Sequence, residues 1–337
     1  MSAQNQPIIV AGAGPAGSAL TLYLAQHGVA VLQLEQADSL PIDLRASTFH
    51  PPSLEMLATL GVTDRLEEKG LKVDKYQYRD RVSGEVAEFD MALLAEETDY
   101  PYRLQLEQYE MTHIVNDMLA EYECAEVRFG HKVVSCENKG SHVEVIVETP
   151  EGTQTLHTPF LVGADGASSN VRKGVGIGFD GFTYDERFLV ASTPFPFENV
   201  FDNLSYVNYV SDPDEWCVIL RTDKLWRVLV PTSPEDSDEK LLSDEFIQAR
   251  LKHLFDIGED YDVRHRTLYN VHQRVSETYY KDRVALIGDA CHINNPLGGM
   301  GMNGGLHDAF NLAERLVRIE KDDSPYLDEF AHYDRQR

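Results

Sequence analysis

The sequence predicts an α/β fold in which a parallel sheet is joined to a second, antiparallel sheet. Three apolar segments, which begin at Ile8, Phe160 and Val284, run directly into glycine turns, as parallel strands do before a helix. Between Asp180 and Gln273 the sequence instead alternates apolar and polar residues and is rich in aromatic ones, which is typical of antiparallel strands. A length of 337 residues is sufficient for two domains.

The N-terminal segment has the complete pattern of a βαβ unit. A strand over Ile8 to Ala11 is followed by the turn Gly12 to Gly17, whose glycines have the spacing G-x-G-x-x-G. An apolar stripe then predicts a helix that ends at Gly28, where a left-handed cap is least costly. Val29 to Leu34 predicts a second strand, which leads into Glu35. This unit is the fingerprint of a dinucleotide-binding site.

Each glycine of that turn has a separate task. Gly12 permits the tight turn, Gly14 lets backbone amides approach a pyrophosphate, and Gly17 lets the helix pack closely on the strand. The Glu35 carboxylate can accept hydrogen bonds from ribose hydroxyls. A bare G-x-G-x-x-G is often only a flexible loop, but such a loop needs neither the two strands nor the terminal acid. The fingerprint alone does not distinguish a nicotinamide enzyme from an FAD enzyme.

Two further glycine motifs follow in the chain. Phe160 to Arg172 is an apolar strand that runs into a glycine turn and the start of a helix. Val284 to His292 is a third strand with a glycine turn, and the glycine-rich segment Pro296 to Asn303 comes soon after it. Apolar residues at helical spacing over 309–317 predict an amphipathic helix there.

Composition narrows the functional classes. The chain has 30 Lys and Arg against 56 Asp and Glu, a net charge of −26, which disfavours nucleic acid and anionic membranes as partners. No apolar stretch approaches the ~18 residues of a membrane-spanning helix. The four cysteines contain no C-x-x-C pair, so the sequence predicts neither a metal site nor a disulfide framework. The polar N-terminus lacks a secretory leader, and we therefore expect a cytoplasmic protein.

The three motifs together resemble the class A flavoprotein monooxygenases, the p-hydroxybenzoate hydroxylase family. The resemblance lies in the N-terminal fingerprint, the segment G-A-D-G-x-x-S-x-x-R at 163–172, and the late G-D-A-x-H followed by P-x-G-G-x-G-x-N at 288–303, in the same order as in the family. It implies a Rossmann-like FAD-binding domain formed by residues 1–72, 100–178 and 275–337, with an inserted antiparallel-sheet substrate domain formed by 73–99 and 179–274. The family's chains continue past a segment like Tyr333 to Arg337, so we expect its terminal helices to be absent from this sequence.

The resemblance also assigns the cofactor site. The fingerprint turn would hold the FAD pyrophosphate, Glu35 the adenosine ribose, and Asp289 the ribityl or pyrophosphate side. The segment Pro296 to Asn303 would lie along the isoalloxazine ring, where the helix dipole favours an anionic reduced flavin. For Asp165 a simple helix N-cap is the alternative, and the Val133 side chain alone would be a core residue. The residues assigned to FAD are Gly12, Ala13, Gly14, Pro15, Ala16, Gly17, Glu35, Gln36, Arg45, Gln108, Val133, Asp165, Asp289, Gly299, Gly301, Met302 and Asn303.

The catalytic and substrate assignments have less support in the motifs. Arg45 matches the family arginine beside the flavin, and a surface arginine is the alternative. His50 is a candidate base, with a solvent-facing turn histidine as the alternative. Tyr209 and Arg221 occupy the approximate places of a phenol-activating tyrosine and a carboxylate-binding arginine, although both also suit ordinary sheet positions. Pro296 is a further candidate substrate contact.

The function implied by the resemblance is hydroxylation of a phenolic or N-heteroaromatic small molecule. NADPH or NADH would reduce non-covalently bound FAD, and O2 would form a flavin C4a-hydroperoxide that transfers one oxygen to the ring. No second complete βαβ unit is visible for the nicotinamide nucleotide, so transient binding over the flavin domain is expected. The substrate, the preferred nicotinamide nucleotide and the choice between monomer and homodimer stay open.

Other functions were weighed on the same residues. A ubiquinone-precursor-type hydroxylase or a flavoprotein reductase is the main alternative on this scaffold. A flavin-dependent halogenase would show W-x-W-x-I-P, but Trp216 is followed by Cys217 and Val218. The late glycine motifs disfavour a nicotinamide dehydrogenase, and a non-enzymatic role would require those motifs to be vestigial.

Overall fold

A computed structural model of the chain describes residues 6–42 and 46–337. The strands are β1 (Ile8–Ala11), β2 (Val31–Leu34), β3 (Thr48–Phe49), β4 (Leu71–Val73), β5 (Lys75–Asp80), β6 (Gly84–Asp90), β7 (Arg103–Gln105), β8 (Ala125–Arg128), β9 (Lys132–Asn138), β10 (Val143–Thr149), β11 (Gly152–Thr158), β12 (Leu161–Gly163), β13 (Phe179–Thr193), β14 (Val207–Ser211), β15 (Cys217–Arg221), β16 (Trp226–Thr232), β17 (His265–Ser276), β18 (Tyr280–Lys281), β19 (Val284–Leu286) and β20 (His292–Ile293).

The helices are distributed along the whole chain. They are α1 (Pro15–Gln26), α2 (Pro51–Thr59), α3 (Thr63–Glu67), α4 (Gln108–Leu119), α5 (Asn170–Gly174), α6 (Asp238–Leu241), α7 (Asp244–Leu254), α8 (Met300–Asp322) and α9 (Tyr326–Gln336). Across residues 6–42 and 46–337, none of them combines the length and the apolar character that crossing a bilayer requires.

The first large sheet has the strand order β18-β19-β12-β1-β2-β8, and all its pairs are parallel except that of β18 with β19. Every residue of β1, β2, β12 and β19 is buried, which explains their continuous apolar sequences. The predicted first strand is reproduced at Ile8–Ala11, whereas the second begins at Val31 rather than Val29. The amide of Val29 instead donates to the Leu24 carbonyl at the end of α1, and so belongs to the helix connection. This sheet confirms the predicted α/β class.

The second large sheet has the order β20-β17-β13-β16-β15-β14-β5-β6. It was predicted to be antiparallel, and all its pairs are antiparallel except that of β5 with β14, which is parallel. The exception has a topological reason: β5 and β14 are separated by a long stretch of chain that includes β7 to β12 of the other sheets, so no hairpin constrains their direction. Its strands come from 75–90, 179–276 and 292–293, while the exact domain boundaries stay a prediction.

The two faces of this sheet differ in what they contact. On one face, Ile219, Trp226 and Val228 pack with Ile247 and Leu251 of α7 in a separate apolar core. Because side chains alternate along a strand, Arg227 lies on the opposite face. Its guanidinium reaches Glu107, whose two carboxylate oxygens are each 2.7 Å from Nη2. The second face is therefore turned toward the segment that leads into α4.

A buried carboxylate connects the parallel sheet to the C-terminal helices. Asp308 of α8 has no exposed surface and accepts hydrogen bonds from the Gly288 amide at 2.9 Å, His292 Nε2 at 2.6 Å and Arg337 Nε at 2.5 Å. Burial acts to raise the pKa of Asp308, but the hydrogen bond from His292, the charges of His292 and Arg337 and the Gly288 amide outweigh it and lower the pKa. The carboxylate therefore stays ionised and fixes the turn that follows β19.

We expect Asp308→Asn to lower the free energy of unfolding by about 3 kcal/mol, because the neutral amide loses the charge-assisted hydrogen bonds that the buried carboxylate accepts from His292 and Arg337. Urea denaturation near neutral pH measures the effect. Asp322→Asn, an exposed substitution on the same helix, is the matched control and should change the value by less than about 0.5 kcal/mol. Equal effects of the two substitutions would contradict the role given to Asp308.

Candidate active site

The fingerprint turn makes two kinds of glycine contact. A Cβ atom on Gly12 would lie 2.3 Å from the Ala164 carbonyl oxygen, and one on Gly17 would lie 2.3 Å from the Gly12 carbonyl oxygen. Both positions therefore serve the packing of α1 against β1 and β12. A Cβ atom on Gly14 would meet nothing within 4 Å. Gly14 thus leaves space for a ligand rather than for the protein's own backbone.

A cavity of about 330 Å³ opens beside this turn. Its lining includes Gly12, Gly14, Glu35, Gln36, Lys132, Val133, Asp165 and Asn170. The Glu35 carboxylate is held at the carboxyl end of β2, where Oε2 accepts from the Ala13 amide and Oε1 from the Ala37 amide, both at 2.9 Å. The carboxylate is therefore fixed at the cavity wall, as hydrogen bonding to a ribose requires.

These residues fit the adenosine and pyrophosphate half of FAD. The first turn of α1 contains no acidic residue, and no side chain caps it. Its amides and the positive end of its dipole therefore suit an anionic group. The space beside Gly14 lets that group approach the backbone. The cavity joins this space to Glu35, in the order of phosphate and ribose that the fingerprint predicts.

The mid-chain motif has a strong structural component. Asp165 accepts from Ser169 Oγ at 2.5 Å and from the amides of Asn170 and Val171 at 2.7 and 3.1 Å, so its carboxylate stabilises the start of α5. The N-cap residue of α5 is Ser169, whose hydroxyl accepts from the Arg172 amide at 2.9 Å. Asp165 therefore supports the helix start from outside the cap position, and it also lines the cavity. Val133 was among the residues assigned to FAD, and its carbonyl already accepts from Asn170 Nδ2 at 2.9 Å.

The late glycine segment forms a turn that starts α8. Gly298 and Gly299 have φ angles of 85° and 68°, which favour glycine. The Asn303 side chain holds this turn, because its Nδ2 donates to the Gly299 and Thr48 carbonyls and its Oδ1 accepts from the His50 amide. Asn303 was predicted to contact the flavin, but its side chain is committed to the protein. A contact of Asn303 with the ring would have to come from its backbone.

The predicted cofactor residues of the later segments are not among those that line this cavity. Asp289 is exposed at the turn after β19, and Gly301 and Met302 lie in the first turn of α8. Gln108 begins α4, and its amide donates to the Ala46 carbonyl. Arg45, predicted both as a catalytic and as a flavin contact, lies outside the described residues.

The His50 side chain contacts the late glycine turn and does not lie in a solvent-facing loop. Its Nε2 is 2.8 Å from the Gly298 carbonyl oxygen, so this nitrogen donates the hydrogen bond. Burial lowers the pKa of His50 and the positive charge of Arg103 lowers it further, while the bond to Gly298 raises it only in part. A neutral imidazole with Nδ1 as its remaining acceptor is the form that a base requires.

Tyr209, predicted for catalysis, and Arg221, predicted for substrate binding, lie on opposite faces of the sheet. Tyr209 lies on the same sheet face as Arg227 and stacks on Tyr78 with ring centroids 5.1 Å apart. Arg221 lies on the opposite face, with its guanidinium 5.9 Å from the Trp226 ring centroid. The structure does not bring Arg221 to the site, because position 221 shares the orientation of Ile219. Pro296 is exposed at the start of the glycine turn.

Sequence reasoning missed several polar residues near the turn. Gln105 and Ser192 have no exposed surface, and Arg227 and Asp308 are buried as well. A signal existed for Asp308, since it lies one helical turn before Leu312 on the apolar face of α8. Gln105 had a weaker signal, as a polar residue between Leu104 and Leu106.

One group among the described residues has the spacing of metal ligands: Cys291, His292 and Asp308 place their ligand atoms within 4.8 Å of one another. Arg337 Nε already lies 2.5 Å from Asp308. Burial raises the pKa of the Cys291 thiol well above its usual value, and the Asp308 charge raises it further. With a protonated thiol and a guanidinium in place, the cluster is explained as an ion-pair network.

Comparison with known proteins agrees with this geometry. Residues 5–337 match the family model described as "FAD binding domain". The chain is 32% identical to para-nitrophenol 4-monooxygenase of a Pseudomonas species, over 96% of this chain and 81% of that protein. It is 34% identical to 6-hydroxy-3-succinoylpyridine 3-monooxygenase of Pseudomonas putida, over 94% and 81%. The crystal structure of p-nitrophenol 4-monooxygenase from Pseudomonas putida superposes with a TM-score of 0.92 at 31% identity, covering 98% of this chain and 83% of that one.

We expect Gly14→Val to fold normally and to bind FAD at least tenfold more weakly, a loss of about 1.4 kcal/mol, because valine fills the space beside α1. The free energy of unfolding should change by about 1 kcal/mol or less. Gly17→Ala is the contrasting variant: its Cβ meets the Gly12 carbonyl, so it should lose roughly 1–3 kcal/mol of stability. Titration of apoprotein with FAD by flavin fluorescence measures binding, and full occupancy in Gly14→Val contradicts the assignment.

We expect the stability of the protein to depend on His50 at mildly acidic pH. Because its folded-state pKa is lowered, the unfolded chain binds the proton more readily, so the stability is present above about pH 6.5 and is lost as the pH falls through the folded-state pKa. His50→Gln keeps an N–H donor for Gly298 but does not titrate. Urea denaturation from about pH 7.5 to 5 should show a shallower decline for this variant, and identical declines would disprove the role of His50.

Proposed function

The chain belongs to the FAD-binding-domain family that its relatives represent, and from this premise we propose the substrate class, the electron donor and the residues of its reaction. The protein is an FAD-dependent aromatic monooxygenase. The observation that carries the proposed site is the unfilled space beside Gly14, which continues into the cavity that ends at Glu35.

The cofactor would be held by residues from three parts of the chain. The turn 12–17 would bind the pyrophosphate, Glu35 the adenosine ribose, and Asp289 the side nearer the ring. Gly301 and Met302 would offer backbone amides from the start of α8 to the ring's polar edge. When bound, FAD supplies electron transfer from a nicotinamide nucleotide and activation of O2 for insertion into an aromatic ring.

The protein's own residues orient this site. Asn303 ties the glycine turn to Thr48 and His50, which keeps the N-terminus of the 23-residue helix α8 in place. The positive end of that helix dipole favours negative charge at its first turn. The face of the eight-stranded sheet that carries Arg227 is held to Glu107, just before α4, by the Arg227–Glu107 ion pair. A neutral His50 can take up a proton at Nδ1.

We propose a small phenol or hydroxylated N-heteroaromatic ring as the substrate. The relatives named for p-nitrophenol and for a hydroxypyridine are each covered over 81% of their length, and both names describe an aromatic ring that carries one hydroxyl group. Such a ring reacts more readily with an electrophilic oxygen when its hydroxyl is ionised, so proton removal by a nearby base assists the reaction. Tyr209 is the sheet residue proposed to approach the ring.

NADPH or NADH is the proposed electron donor, bound transiently over the flavin domain. A ubiquinone-precursor hydroxylase and a flavoprotein reductase, the earlier alternatives, are not favoured by relatives that are named as monooxygenases of small rings. A cytoplasmic location, and a monomer or homodimer in solution, complete the proposal.

The test is oxidation of NADPH and of NADH by FAD-loaded protein, with p-nitrophenol, 6-hydroxy-3-succinoylpyridine and larger phenols as substrates, and mass analysis of the products. We expect one of the small rings to stimulate nucleotide oxidation at least tenfold and to yield a product carrying one added oxygen. The Gly14→Val protein is the control: at an FAD concentration that only just saturates the unchanged protein, both effects should fall in proportion to its lower FAD occupancy. Stimulated oxidation that yields only hydrogen peroxide, or no stimulation by any ring, would contradict the proposed substrate class.

A further inference from the structure

We propose that Gln105 is a specificity-determining residue that donates a hydrogen bond to an anionic oxygen on the aromatic substrate. The inference rests on the proposed aromatic hydroxylation and identifies one residue that would choose the ring. It starts from a buried hydrogen-bond donor that has no partner among the described residues, the Nε2 of Gln105.

The sheet above Gln105 presents a continuous row of side chains. Leu220 of β15 pairs with Arg227 of β16 on one side and with Val207 of β14 on the other. Asn208 pairs with Gln77 in the parallel β14–β5 pair, so the residues before them, Val207 and Tyr76, also share a face. The row therefore runs Arg227, Leu220, Val207, Tyr76 across four strands.

Strand β7 crosses beneath this row, because contacts at its two ends fix it there. At one end, the Arg103 guanidinium lies 4.3 Å from the Tyr76 ring centroid. At the other, Glu107 pairs with Arg227. Residues 103 and 107 are about 13 Å apart in an extended chain, and three strand spacings, from β16 to β5, are about 14 Å. Gln105, midway between them and on the same side of β7, therefore lies beneath Leu220 and Val207.

The Gln105 carboxamide is held with its donor end free. Thr48 Oγ1 donates to Gln105 Oε1 at 2.9 Å, which leaves Nε2 without a partner in a residue that has no exposed surface. An unpaired buried donor is costly, and a substrate acceptor would satisfy it. Thr48 also borders the glycine turn, since a Cβ on Gly299 would lie 3.4 Å from Thr48 Cβ. Gln105 is thus one side chain away from the turn assigned to the flavin ring.

The surroundings of Gln105 favour a flat ring with a negative oxygen. Leu220 and Val207 provide an apolar roof for the ring. Arg103 contributes a positive charge close enough to lower the pKa of the neighbouring His50. Within the described residues the Nε of Arg103 is likewise buried and unpartnered. Two donors and one positive charge suit a phenolate oxygen, whereas a ring amine would bring a third donor and no acceptor for these groups.

The test compares Gln105→Glu with the unchanged protein, both loaded with FAD and kept oxidised. Binding of p-nitrophenolate, at a pH where this phenol is ionised, and of p-nitroaniline is followed by the change in flavin absorbance, so no turnover is required. The carboxylate has the shape of the carboxamide but replaces its donor with a negative charge. We expect p-nitrophenolate binding to weaken about tenfold or more and p-nitroaniline binding to stay within about threefold or improve.

Two controls separate this role from a structural one. Gln154→Glu makes the same substitution on the exposed strand β11 and should leave both ligands unchanged. Gln105→Met removes the donor without adding charge, and it should also weaken the binding of p-nitrophenolate selectively. It serves as the test variant if Gln105→Glu proves unstable.

The contrary outcomes are distinct. If Gln105→Glu weakens the binding of both rings equally, Gln105 contacts the nitro group that they share, and the proposal is overturned. A large loss of FAD affinity with unchanged binding of the rings would overturn it as well. An unchanged protein that holds FAD but binds neither ring, and hydroxylates none of the rings tested above, overturns the proposed function and this inference with it.

Discussion

The arrangement of the site depends on one buried negative charge. Asp308 collects donors from three separate parts of the chain, namely the turn after β19, the following His292 and the distant Arg337. Such a carboxylate is tolerated in a core only when its partners are all in place, so it forces these three segments into one arrangement. The helix whose first turn faces the proposed flavin ring is the same helix that carries Asp308. The position of the first turn of α8 therefore depends, through the helix, on the hydrogen bonds of the Asp308 carboxylate.

Glycine supports the site in two physically different ways. At Gly12 and Gly17 the protein's own backbone occupies the place of a side chain, so these residues are needed for the fold whether or not a ligand is bound. At Gly14 the space is open, and a side chain there would compete only with a ligand. A single motif thus combines a folding requirement with a binding requirement, which is why the pattern G-x-G-x-x-G is informative only when strands and an acid accompany it.

Local sequence patterns predicted the parallel sheet well, because each strand and its turn lie within a few residues of one another. The strand Ile8–Ala11 and the left-handed Gly28 follow directly from such patterns. Properties that depend on distant contacts were not accessible in the same way. The face that Arg221 occupies depends on strand register, and Gln105 bonds to Thr48, which lies 57 positions away in the chain. The side chain of Asn303 was missed as a structural tie for the same reason.

The single parallel pair in the eight-stranded sheet affects how the chain must fold. The β5–β6 hairpin is synthesised long before β14, its only neighbour on the inner side, so this pairing has a high contact order and forms late. Val82 and Val86 of this hairpin are exposed before the pairing forms, and they are exposed in the native state as well. The carboxylates of Glu85 and Asp90 lie along the same outer strand, on which Glu88 pairs with Lys75. Glu85 and Asp90 act as electrostatic gatekeepers, because negative charge on the nascent edge discourages it from pairing with another chain.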